Sequence, residues 1–115
     1  MKIRKMPTLR DKKRYIYFTV HSKSPLSYTD LRNSIFNSIL NFLGEETAAR
    51  ANPTIVRNLW NEKKFTGVIR CTHKYVDPVK VSLCLIHQIG DEPVIIQATK
   101  VSGTIKGLGL KNSED

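Results

Sequence analysis

"RYIYFTVHSKSPLSYTDLRNSIFNSILNFLG", residues 14–44, changes its hydrophobic period halfway along. Over 14–22 the pattern alternates. Ile16, Phe18 and Val20 fall on one face and Tyr15, Tyr17 and Thr19 on the other, as in a strand with one buried side. From Leu31 the spacing turns to three and four. Leu31, Ile35, Ile39, Phe42 and Leu43 make a helical stripe. Ser27 with Asp30 reads as a capping pair, and Gly44 as a C-terminal stop. The stretch is a strand followed by a helix.

Downstream, "EETAARANP" is a connector ended by Pro53. "TIVRNLW" (54–60) predicts a second strand, "NEKK" (61–64) a polar turn and "FTGVIRCT" (65–72) a third strand, so the pair forms a hairpin. "YVDPVKVSLCLIHQIG" (75–90) places Val79, Leu83 and Ile86 on one stripe. Pro78 suits a first turn, so this helix starts near Asp77. "EPVIIQATKVS" (92–102) is the last strand, and "GTIKGLGLKNSED" reads as a loosely ordered tail. The order β-α-β-β-α-β predicts an α+β, ferredoxin-like (RRM-like) sandwich with a four-stranded antiparallel sheet and two helices on one face. The expected organisation is a basic arm at 1–13, one domain at 14–102 and a glycine-containing tail at 103–115.

Charge is the unusual property. Lys and Arg number 19 against 10 Asp and Glu, a net +9 with a pI of 9.8. Most of that excess sits in the first fourteen residues, where Lys2, Arg4, Lys5, Arg10, Lys12, Lys13 and Arg14 face Asp11 alone. Such an arm implies an anionic partner, nucleic acid or a membrane surface. No apolar run approaches the roughly 20 residues that span a bilayer. The N-terminus lacks the apolar segment of a signal peptide, and Cys71 with Cys84 makes no secreted disulfide framework. A cytoplasmic protein is expected.

Catalytic signals are weak. His21, His73 and His87 have no Ser, Cys or carboxylate at triad spacing. Cys84 and His87 stand three apart on one helix, but a metal site needs about four ligands and no second pair is present. Asp77, Asp91 and Glu92 suit helix-start and turn positions, and no glycine-rich phosphate loop follows a strand. RRM domains stack bases on aromatic residues of the sheet. Here Thr66, Val68 and Cys71 stand where such rings would be, although Lys64 and Gly67 fit. The open face of Tyr15, Tyr17, Thr66, Val68, Ile95 and Gln97 is moderately apolar and suits a protein contact. Tyr15, Tyr17, Val68 and Ile95 are therefore candidate protein-interface residues.

Three stretches, "PTLRDKKRYIYF" (7–18), "TGVIRC" (66–71) and "VSGTIK" (101–106), together resemble the archaeal ribonuclease P protein component 2 (Pop-five) family. Ribonuclease P removes the 5′ leader of precursor tRNA, and its RNA subunit performs the hydrolysis with bound Mg²⁺. The resemblance implies an accessory subunit that binds this RNA and holds no cofactor itself. It implies protein component 3 as a partner, and self-association within a heterotetramer. The RNA-binding candidates are Arg4, Lys5, Arg10, Lys12, Lys13 and Arg14, joined by Arg70 and by Lys106 of the "SGTIK" motif, where Gly103 serves either a close backbone approach to a phosphate or a plain turn. The alternative is a free-standing RRM-like or ribosome-associated RNA-binding module.

Overall fold

A computed structural model describes residues 12–109. Its strands are β1 (Lys13–Ser22), β2 (Thr54–Ile55), β3 (Thr66–Thr72), β4 (Gln88–Ile89) and β5 (Glu92–Ser102). They form one antiparallel sheet in the order β2-β3-β1-β5-β4. The helices are α1 (Tyr28–Leu43), α2 (Glu45–Ala51) and α3 (Val76–Cys84). The α+β class and the antiparallel sheet agree with the sequence.

The strand count differs from the four expected, because five strands pair. The end of "LCLIHQIG" leaves the helical path after Cys84, and Gln88 and Ile89 pair with Pro93 and Glu92 around the turn Gly90-Asp91. Gly90 takes a positive φ of 62°, the conformation a two-residue turn with glycine first requires. The strand expected over 54–60 is cut to two residues. The Val56 N–H still donates to Val68 O, at 2.9 Å, but Arg57–Leu59 then winds into a 3₁₀ turn. The connector after Gly44 is a helix of its own, so three α-helices replace the expected two.

α1 begins and ends at its sequence signals. Ser27 Oγ accepts from the Asp30 N–H at 3.0 Å, and Gly44 takes φ 84° while its N–H donates to Leu40 O at 2.8 Å. One face of the sheet holds the core. Ile16, Phe18 and Val20 of β1 pack with Leu31, Ile35 and Ile39 of α1, Ala51 of α2 and Val79 and Leu83 of α3, all fully or almost fully buried. Phe42, placed on the α1 stripe by its spacing, is half exposed. The segment after β5 also departs from expectation. Lys106–Leu108 forms a 3₁₀ turn, and Leu108 is buried outside the main core cluster.

β1 and β3 meet closely at one point. Phe18 pairs with Gly67, and a Cβ on Gly67 would lie 2.7 Å from Phe18 Cζ and 3.1 Å from the Trp60 ring. Phe18 and Trp60 stack with centroids 6.5 Å apart. Phe18 is fully buried and Trp60 is partly buried against the core. Gly67→Ala should therefore destabilise the protein by about 1–3 kcal/mol through overpacking, exceeding the ~0.4–1 kcal/mol gained by restricting the unfolded chain. Urea denaturation measures it, and a variant as stable as the parent would contradict this packing.

The cysteines differ in environment. Cys71 is buried and Cys84 exposed. Burial pushes the Cys71 thiol from 9.0 up to about 11, with the Lys13 ammonium pulling the other way. Below about pH 9 the thiol is protonated in both states. Between pH 9 and 11 the unfolded chain releases that proton while the folded chain keeps it, so this thiol's contribution to stability is lost as pH rises through the window. Stability of the parent should fall more steeply there than that of Cys71→Ala, by on the order of 2 kcal/mol in total. At pH 8 a thiol reagent should titrate Cys84 in the folded protein and both cysteines after unfolding.

Candidate nucleic-acid interface

Antiparallel pairing determines which charges meet. The start of β1 lies beside the end of β3 on one side and the end of β5 on the other. Lys13 stands opposite Thr72, and Tyr15 stands between Arg70 and Ser102. The root of the basic segment is tied down here. The His73 N–H donates to Lys12 O at 2.7 Å, and His73 Nδ1 lies 3.2 Å from the same oxygen. Lys12 and Lys13 are exposed and Arg14 is half-buried. Arg14 Nη1 donates to Lys13 O at 3.0 Å, and its guanidinium runs past Gly103, where a Cβ would come within 3.5 Å.

"SGTIK" forms the loop after β5. Ser102 Oγ accepts from the Thr104 N–H at 3.2 Å, and Thr104 Oγ1 accepts from the Gly107 N–H at 2.9 Å. A Cβ on Gly107 would collide with Ser102 Oγ. These bonds hold the loop beside Arg14 and leave Lys106 exposed. Lys12, Lys13, Arg14 and Lys106 are thus collected at one end of the sheet, with Arg70 one register step in. Arg4, Lys5 and Arg10 lie outside the described residues. The segments 12–14, 70–74 and 100–106 contain no Asp or Glu; Asp11 and Asp77 flank them in sequence, and α2, which carries Glu45 and Glu46, meets Thr72 through the bond from Thr72 Oγ1 to Arg50 O at 3.0 Å.

The sequence reading missed both Lys74, at the same end, and Lys100, further in beside Tyr17. Lys74 follows His73 directly, and pairing β1 with β3 is enough to place it. Lys100 depends on a bulge. The β1–β5 register shifts between Tyr17 and Phe18, so Phe18 pairs with Ala98 while Tyr17 pairs with Lys100. The extra residue, Thr99, donates its hydroxyl to Tyr17 O at 3.3 Å. Without the bulge Lys100 would fall on the core side of the sheet. Alternation alone cannot reveal it.

The open face is not the free apolar surface expected. Tyr15 and Tyr17 are half-buried, and Ile95, opposite His21, is 63% exposed. Val68, expected as a protein-contact residue, is fully buried. It shares a row with Tyr17 and Lys100, and Lys100 Nζ donates to Leu108 O at 3.3 Å. The chain after β5 therefore returns to this row. Val68 is removed from the candidate interface. Among the described residues no three His, Cys, Asp or Glu side chains are grouped to hold a metal ion, and no helix is long and apolar enough to cross a membrane.

An α+β domain that gathers basic residues at one sheet end has the electrostatics of an anion-binding surface. Similarity to known proteins is more specific. A family model described as "Rpp14/Pop5 family" matches residues 14–111. A protein of Pyrococcus furiosus named "Ribonuclease P protein component 2" is 42% identical over 105 residues, covering 91% of this chain and 86% of that protein. The protein of the same name from Pyrococcus abyssi is 36% identical over 112 residues, 96% and 93% of the two chains. That of Methanocaldococcus jannaschii is 37% identical over 105 residues, 91% and 75% of the two. A chain of the solved structure described as "Cryo-EM structure of yeast Ribonuclease MRP" superposes with a TM-score of 0.66 at 14% identity, over 92% of this chain and 82% of that one; it shares the fold. The chain belongs to the Rpp14/Pop5 family. The family match begins at Arg14, so it includes Arg14, Arg70 and Lys106 and leaves out the basic residues before them.

Exposed lysines at this end should bind phosphates without supporting the fold. Changing Lys12, Lys13 and Lys106 together to Ala should flatten the slope of log RNA affinity against log salt by ~2, from ~0.7–0.9 per phosphate. Stability should stay within ~0.5 kcal/mol of the parent. Affinity titrations at several salt concentrations measure the slope, and an unchanged slope in a folded variant would contradict the assignment.

Proposed function

We propose that this chain is an accessory protein subunit of ribonuclease P. It binds the catalytic RNA and supports removal of the 5′ leader from precursor tRNA. The observation that carries this reading is the cluster of basic residues that β1, β3 and β5 gather at one end of the sheet, in a chain of the Rpp14/Pop5 family. Self-repulsion of those cations turns into attraction once phosphates lie against them and counterions are released. A folded RNA suffers the opposite problem where its helices converge, and a small cation-rich protein screens that repulsion. The chain itself supplies no cofactor in this role. Mg²⁺ acts on the RNA, and the RNA performs the hydrolysis.

RNA contact is assigned to Lys12, Lys13, Arg14, Arg70 and Lys106, with Arg4, Lys5 and Arg10 extending it along the arm. Precursor tRNA meets the chain through the holoenzyme. Protein component 3 is the proposed protein partner, with two copies of this chain in a heterotetramer. Tyr15, Tyr17 and Ile95 are the proposed contact residues. A cytoplasmic location goes with this role. The ferredoxin-like assignment is part of the same reading. It is supported by the order β2-β3-β1-β5 once the two-residue β4 is set aside.

The test is reconstitution with ribonuclease P RNA. Adding the parent protein should lower the Mg²⁺ needed for leader removal. The Lys12→Ala, Lys13→Ala, Lys106→Ala variant should do so less, and raising Mg²⁺ should close the gap. Protein freed of RNA should cleave nothing. Specific leader removal by RNA-free protein would overturn the accessory role.

A further inference from the structure

The opposite end of the sheet carries a feature that the arm does not explain. The turn between the 3₁₀ segment and β3 is closed unusually firmly. Asn61 Oδ1 accepts from the backbone N–H groups of Lys63 and Lys64, at 3.0 and 3.1 Å. The Asn61 N–H donates to Thr66 O at 2.8 Å, and the Thr66 N–H donates to Asn61 O at 3.3 Å. Between them Phe65 sits at φ 56°, a left-handed conformation that a bulky residue rarely adopts. Two contacts hold it there. Its ring tilts against Trp60 with centroids 6.5 Å apart, and its carbonyl accepts from the Val20 N–H at 2.8 Å. Strain of this kind persists only where its surroundings over-determine it, and it gathers at functional sites.

The turn displays charge. Lys63 and Lys64 are both exposed, and among the described residues neither ammonium makes a hydrogen bond or an ion pair. Lys23, also exposed, follows three residues after the Val20 that binds Phe65. Glu62 is the one acid within the turn. Lys13 and Thr19, which pairs with Thr66 at the base of this turn, are six residues apart on β1. At ~3.3 Å per residue the two cationic ends are separated by ~20 Å, comparable with the width of a nucleic-acid duplex.

We propose that the 61–64 turn is a second phosphate-binding point, with Lys63 and Lys64 as its contacts and Asn61 as the residue that positions them. The chain then grips two RNA backbones at once, one at each end of the sheet. This rests on the RNA-binding reading above and adds to it a second, separate RNA segment.

Hydroxyl-radical footprinting of ribonuclease P RNA with the full chain tests it. The parent should protect two separate segments. Lys63→Ala with Lys64→Ala should lose one of them, flatten the salt slope by ~1.5 and leave the other protected. The triple variant at Lys12, Lys13 and Lys106 should lose that other segment. Lys63→Arg with Lys64→Arg should restore the protection. Circular dichroism and Trp60 emission establish that each variant is folded. Unchanged protection in the folded Lys63→Ala, Lys64→Ala variant would overturn this site and leave the RNA-binding reading standing, as would loss of the same segment by both variants. Failure of the parent to protect any RNA would overturn both.

Discussion

Phe18 lies against the bare backbone of Gly67, with the Trp60 ring over the same spot. That contact joins β1, β3 and the segment before β3, and it works only in one register. A one-residue slip would turn Ile16, Phe18 and Val20 out of the core and put the tyrosines in. With Phe18 opposite Gly67, Lys13 must stand opposite Thr72 and Thr19 opposite Thr66. The positions of both cationic ends therefore follow from an apolar packing constraint near the middle of the sheet. The charges contribute little to fixing the fold, and the fold fixes the charges.

Gathering Lys12, Lys13, Arg14, Arg70 and Lys106 towards one end costs stability, since like charges brought together repel. Nearby carboxylates would relieve that repulsion. Some acids do lie near this end: α2, with Glu45 and Glu46, meets Thr72 through Arg50 O, and Asp77 opens α3, while Asp91 and Glu92 lie in the β4–β5 hairpin. One ion pair, Arg50 with Glu46 at 2.8 Å, is formed among the described residues, and it lies on the surface of α2. With 19 Lys and Arg against 10 Asp and Glu, the excess of cations keeps a positive potential available to an outside anion.

Much of this was legible in the sequence, and the exceptions have physical causes. β1 and α1 were readable because period, cap and stop agree on them: Ser27 caps, Gly44 ends, and Leu31, Ile35 and Ile39 are buried. "TIVRNLW" reads as a long strand because its apolar residues suit one. The chain instead bends into a 3₁₀ turn that brings Trp60 over Gly67. "LIHQIG" continues a helical spacing, but pairing with β5 claims Gln88 and Ile89. The RNA-contact candidates in 12–14 stand out as a run of charge. Lys100 does not, because its side is decided by the bulge at Thr99, a tertiary feature with no marker of its own. Leu108 looked like part of a tail because nothing in the glycine-containing stretch marks the 3₁₀ turn in which it is buried.

The covered face bears on what kind of recognition is open to the chain. Reading bases on a sheet of this kind takes exposed rings with room for a base above them. Here the middle of the face is Val68, fully buried, with Tyr17 half-buried beside it and the chain returning through the Lys100–Leu108 bond. Stacking there would require the segment after β5 to leave and Leu108 to be exposed, which costs roughly 1.5–3 kcal/mol for one such side chain. Lysine ammonium groups at the ends of the sheet need no such rearrangement. They act as point charges on flexible stems and make no bidentate match to a base edge. Contacts of that type position a nucleic acid without reading its sequence. In the proposed role, specificity for one RNA then comes from the spacing of its backbones, which a rigid sheet can measure.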